Sequence, residues 1–130
     1  MAYLMIVDDD PDFASAVAKV LQNAGHEIEI EPKIEPVLDN MATRVPDLAI
    51  LDVMFPEDPN AGFDLARSIR KNQKFKNMPI LMLTGVNASF PLGFGAKDIN
   101  DSWLPISDFL EKPIDFDVLL NKVTTLLGKT

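Results

Sequence analysis

The chain has 130 residues, 47% hydrophobic and 25% charged, with a formal net charge of -8 and no cysteine. Residues 1–130 therefore suit one domain with a single core, and the missing cysteines exclude disulfide, thiolate and zinc-thiolate chemistry. The acidic balance speaks against a nucleic-acid or anionic-membrane surface. No apolar run reaches spanning length and residues 1–15 carry acid where a signal peptide carries base, so a cytoplasmic protein is expected.

Residues 3–8 read as a buried strand, short and continuously apolar, that runs into Asp8-Asp9-Asp10-Pro11. Three adjacent carboxylates repel one another and need an offset, by a hard divalent cation or by solvation at a loop. Asp10 with Pro11 reads as the cap and first turn of a helix, whose apolar face is Phe13, Val17, Val20, Leu21 and Ala24 and which Gly25 ends. His26 to Ile30 alternates as an edge strand does. A second helix is expected over 34–44, with Ile34, Val37, Leu38 and Met41 inward. Pro46 to Asp52 repeats the opening theme, because Leu48-Ala49-Ile50-Leu51 is a buried strand ending in an acid.

A polar loop from Met54 to Ala61 leads to a third helix from Gly62 to about Asn72, with Leu65, Ala66 and Ile69 inward. Pro79 to Leu83 is another apolar strand, and it ends in Thr84-Gly85. Residues 107–111 form a short last strand running into Lys112-Pro113, and Asp115 to Leu127 a closing helix with Phe116, Leu119, Leu120, Val123 and Leu127 on one face. Between them, Val86 to Pro105 holds Pro91, Gly93, Gly95, Phe90, Phe94 and Trp103 and reads as a long loop with at most a short helix around 95–103. Lys33, Arg44, Arg67 and Arg70 read as solvated helix faces or ends, and His26 as a surface residue.

Strands alternating with amphipathic helices predict βαβ units and a parallel sheet covered on both faces. Ligands of such sheets bind beyond the carboxyl ends of the strands. The residues at those ends are Asp8 and Asp9, Asp52, Thr84 and Lys112. Three carboxylates offer hard oxygens to Mg²⁺, while a lysine and a hydroxyl suit an oxyanion such as a phosphoryl group.

These residues together resemble the receiver domain of two-component response regulators. The resemblance runs from Tyr3 to Leu127. It rests on Val7-Asp8-Asp9, Leu51-Asp52, Pro56 and Gly62, Leu83-Thr84-Gly85, and Lys112-Pro113, in that order and each of the strand motifs at a strand end. It implies an α/β, flavodoxin-like, doubly wound five-stranded parallel sheet of order 2-1-3-4-5, here with an atypical fourth-helix region. By position, it implies Asp52 as phosphoacceptor and Mg²⁺ held by Asp8, Asp9, Asp52 and the backbone carbonyl of Met54. Thr84, Gly85 and Lys112 match the phosphoryl-binding residues, Phe109 the switch aromatic, and Pro113 a cis-proline. Met54 and Val86 occupy positions that influence phosphoryl lifetime in the family, and as apolar residues they imply slow self-dephosphorylation.

The function so implied is a stand-alone phosphoacceptor switch rather than a turnover enzyme. It takes a phosphoryl group from a histidine kinase or a histidine phosphotransfer protein and signals to a downstream protein by contact, without nucleic acid or membrane. Two other functions compete. A Mg²⁺-dependent phosphatase with an aspartyl-phosphate intermediate would carry a second acid after its nucleophile, and Asp52-Val53-Met54 lacks it. A pseudo-receiver acting only as a binding module usually loses an acid or the lysine, and all are present. The segment 86–105 departs most from the family, and either an unusual partner contact or a packed loop accounts for it.

Overall fold

The structure is a computed structural model and describes residues 2–52, 61–84, 107–111 and 114–128. Its elements follow in the order β1 (Tyr3–Val7), α1 (Pro11–Asn23), β2 (Glu27–Glu31), α2 (Val37–Thr43), β3 (Leu48–Asp52), α3 (Ala61–Lys71), a 3-10 turn (Gln73–Phe75), β4 (Ile80–Thr84), β5 (Asp108–Glu111) and α4 (Phe116–Leu127). The strands form one sheet in the order β2-β1-β3-β4-β5, and every neighbouring pair is parallel.

The apolar runs are continuous because both sheet faces are covered. Met5, Val7, Ala49, Leu51, Ile80 and Met82 point to one face, where Val37 and Met41 of α2, Leu65, Ala66 and Ile69 of α3, and Phe75 pack on them. Leu4, Ile6, Leu48, Ile50, Leu81 and Leu83 point to the other, under Ala14, Val17, Ala18 and Leu21 of α1 and Leu119, Val123 and Leu126 of α4. All five residues of β3 are buried, as a central strand requires. On the edge, β2 alternates exposed and half-buried residues until Glu31.

The helix ends are set by single residues. Asp10 is extended and its carboxylate accepts the amides of Asp12 and Phe13 at 3.1 and 3.2 Å, with Pro11 in the first turn. Gly25 closes α1 at φ +97, a conformation side chains disfavour. Asp115 caps α4 by accepting the amides of Asp117 and Val118.

Several expectations need correction. Asp8 lies just past β1 rather than within it, and β2 runs one residue later than 26–30 because Val7 pairs with Glu31. The second helix begins only at Val37. Pro36 biases the residue before it away from helical geometry, so Ile34 to Pro36 form a turn closed by the Val37 amide on the Ile34 carbonyl at 3.0 Å. The third helix stops at Lys71, and Asn72 instead caps the 3-10 turn through the Lys74 amide. On α1 the buried residues are the small Ala14 and Ala18 beside Val17 and Leu21, while Ala24 is exposed. On α4, Leu119 and Val123 are buried as expected with Leu120 and Leu127 packed beside them, but Leu126 is buried too and Phe116 is exposed. The segment 86–105 lies outside the described residues.

Two arginines are structural rather than merely solvated. Arg44 pairs with Glu27 and stacks 3.9 Å above the Tyr3 ring. Arg70 donates from Nη1 to the carbonyls of Phe75, Lys76 and Met78 at 3.1, 2.8 and 2.9 Å, tying the end of α3 to the approach to β4. Charged hydrogen bonds of this kind contribute about 1.5–3 kcal/mol. Arg70→Ala is therefore expected to cost about 2 kcal/mol in urea unfolding, with the slope unchanged.

Candidate functional site

Parallel pairing of β1 with β3 sets Val7 beside Leu51. The next residue of each strand path is an aspartate, so Asp8 and Asp52 leave the sheet side by side. Both are buried, at 1% and 2% exposure, and Asp9 is half-buried. Asp8, Asp9 and Asp52 each bring one carboxylate oxygen within 4.8 Å of the others.

The loop that carries Asp8 is fixed from two sides. Its amide donates to the Glu31 carbonyl at 3.1 Å, and its Oδ1 accepts the Asp10 amide at 2.9 Å. Asp10 itself turns its carboxylate onto α1. The run of three aspartates is thus divided, two to the cluster and one to the helix.

Three carboxylates this close raise each other's charging cost, and an oxygen-only donor set of that size suits a hard divalent cation with part of its water shell retained, the pattern of Mg²⁺. The residues fit such an ion by donor chemistry. Thr84 ends β4 one position beyond Leu83, the partner of Asp52, so it stands at the same edge of the sheet. Phe109 lies in β5 opposite Met82, half-buried against the core of Val7, Leu51 and Met82. Met54, Gly85, Val86, Lys112 and Pro113 lie outside the described residues.

Glu31 is the residue near this site that sequence reading missed. It is 6% exposed, and Asn40 Nδ2 donates to its Oε2 at 2.5 Å. The alternation Glu27, Glu29, Glu31 gave no signal of its burial, since the first two of the three are exposed. At the opposite, amino-terminal end of the sheet an ion pair shifts protonation. There the Arg44 hydrogen bond holds Glu27 below the usual carboxylate range and Glu27 in turn raises Arg44, while burial pushes the Tyr3 phenol up.

A doubly wound parallel sheet of order β2-β1-β3-β4-β5, with acids converging beyond β1 and β3, defines a flavodoxin-like α/β protein. The family model described as response regulator receiver domain matches residues 4–124, and the chain belongs to that family. It is 34% identical over 92% of its length to the CAI-1 autoinducer sensor kinase/phosphatase CqsS of Vibrio cholerae serotype O1, of which it covers 16%. It is 30% identical over its whole length to the DNA-binding dual master transcriptional regulator RpaA of Synechocystis sp., covering 51% of that protein. A CheY-like response regulator receiver domain protein from Methanospirillum hungatei JF-1 superposes with a TM-score of 0.76 at 31% identity, over 97% of this chain and 94% of the other. The chain thus spans about half or less of the length of these curated relatives. Among the described residues no helix is long and apolar enough to cross a membrane.

Proposed function

We propose that this receiver domain is a phosphoacceptor switch that takes a phosphoryl group from a phosphohistidine onto Asp52. The observation that carries the reading is the convergence of Asp8, Asp9 and Asp52 within 4.8 Å beyond the carboxyl ends of β1 and β3. Asp52 ends the central strand, between Asp8 on one side and the Thr84 strand on the other. Asp8 accepts the Asp10 amide in the loop that leads into α1, which suits a holding role, and Asp52 is the residue that matches the family's phosphoacceptor position.

In the reaction, a carboxylate oxygen of Asp52 bonds to phosphorus as the bond from the donor's imidazole nitrogen breaks, and the imidazole leaves with the electron pair. A bound Mg²⁺ supplies neutralisation of the phosphoryl oxygens. Asp8, Asp9 and Asp52, with the Met54 carbonyl, would hold that ion, and Lys112 would pair with the remaining oxygens. The Thr84 hydroxyl and the Gly85 backbone engage the new charge, and Phe109 follows them inward. That contact exists only in the phosphorylated form, so it shifts the balance between two conformations. The partners on this reading are a histidine kinase or histidine phosphotransfer protein upstream and a protein read by contact downstream, in the cytoplasm. The first relative's description as a sensor kinase/phosphatase supports the upstream half of it.

Incubation with a small acyl-phosphate donor and Mg²⁺, followed by intact mass measurement, tests the reading. One phosphoryl group is expected per chain. A protein that stays unmodified while binding its partner would instead be a pseudo-receiver, and steady hydrolysis of a phosphomonoester would make it a phosphatase.

A further inference from the structure

We propose that the buried Glu31 is an uncoordinated fourth carboxylate that strengthens divalent-cation binding at Asp8, Asp9 and Asp52; this rests on the cation reading above. Glu31 ends β2 directly beside Val7, the residue before Asp8, and neighbouring strands lie only about 4.8 Å apart. Its own carbonyl receives the Asp8 amide. The Glu31 backbone thus lies one strand from the start of the cluster, and the residue is 6% exposed, where water screens its charge poorly.

Its partner decides what it can do. Among the described residues, the group that meets the Glu31 carboxylate is the neutral amide of Asn40. An amide holds a carboxylate in place without cancelling its charge. Glu27, on the same strand and four residues earlier, shows the alternative: it is paired with Arg44 and largely neutralised. A buried anion held by a neutral donor is costly in isolation. Its charge is penalised less when a divalent cation sits nearby, because the three acids are there with or without the ion and the ion adds only attraction.

The account separates Glu31 from the ligands. It contributes no oxygen to the cluster of three; it adds field. Its removal should weaken binding without abolishing it, and should leave the metal-free protein no less stable, because one like charge is gone.

Mg²⁺ titration calorimetry on wild type, E31Q and E27Q tests this. E31Q keeps an oxygen for the Asn40 amide and loses the charge. It is expected to weaken Mg²⁺ binding about five- to tenfold, from the Coulomb interaction of one charge with a divalent ion near a protein surface, while E27Q stays within about twofold. The melting temperature without Mg²⁺ should hold or rise in E31Q. Unchanged Mg²⁺ affinity in E31Q, with or without a fall in melting temperature, assigns Glu31 a merely structural role and overturns the proposal. An equal loss in E27Q overturns it as well. Should E31Q fail to fold, N40K places a cation against Glu31, and the same weakening is expected; unchanged affinity there overturns the proposal. Wild type that binds no Mg²⁺ removes the cation reading together with this one, whereas wild-type binding unchanged in E31Q removes this one alone.

Discussion

Asp52→Asn is expected to reduce phosphorylation by a small donor and Mg²⁺ to background, with the fold intact. The substitution is close to isosteric, and Asp52 is 2% exposed among carboxylates that repel it. Exchanging one of three mutually repelling acids for an amide relieves charge strain, so the metal-free variant should unfold at the same or higher urea concentration than wild type. What it loses is the nucleophile, since an amide oxygen forms no stable acyl phosphate. A variant that loses phosphorylation because it is misfolded would show a lower unfolding midpoint, and that distinguishes the two causes.

The second large effect contrasts two neighbours. Asp9→Ala is expected to weaken Mg²⁺ binding by at least on the order of a hundredfold, because it removes one of few hard-oxygen ligands. Asp10→Ala should leave Mg²⁺ binding near wild type and cost about 1 kcal/mol of stability through the lost cap. For a domain of this size that is a fall of about 3–6 °C in melting temperature. The opposite phenotypes follow from where each carboxylate points: Asp9 into the cluster, Asp10 onto the amides of Asp12 and Phe13. Calorimetric titration and thermal unfolding on the two variants read them separately.

The site's backbone was legible because chemistry and periodicity agreed. Each buried strand was a continuous apolar run, and the residue at its carboxyl end was polar, so the parallel sheet alone brings Asp8 and Asp52 together. The parallel sheet and the two-sided core followed from the alternation of elements, and the sheet order from the family resemblance. What was not legible depends on register and on contacts far apart in sequence. Nothing local tells that Val7 faces Glu31 rather than Ile30, yet that single step decides whether Glu31 is surface or interior. Arg70 looks like any helix-end cation until the turn at residues 75–78 folds back beneath it. On α1, Ala14 and Ala18 join Val17 and Leu21 in full burial while Phe13 packs half-buried at the core's margin, because close approach of helix to sheet favours small side chains over large ones. On α4, the exposed Phe116 and buried Leu126 show that a helix with apolar residues on much of its circumference does not reveal its inward face by counting.

The most direct test of the account is location of the phosphoryl group. Protein treated with a small acyl-phosphate donor and Mg²⁺ is reduced with borohydride, which converts an aspartyl phosphate to homoserine, and is then digested and mapped by mass spectrometry. The account predicts homoserine at position 52, dependent on Mg²⁺ and lost in Asp9→Ala. Modification at Asp8, Asp9 or His26 in place of Asp52, or modification at Asp52 that proceeds equally without Mg²⁺, would contradict it.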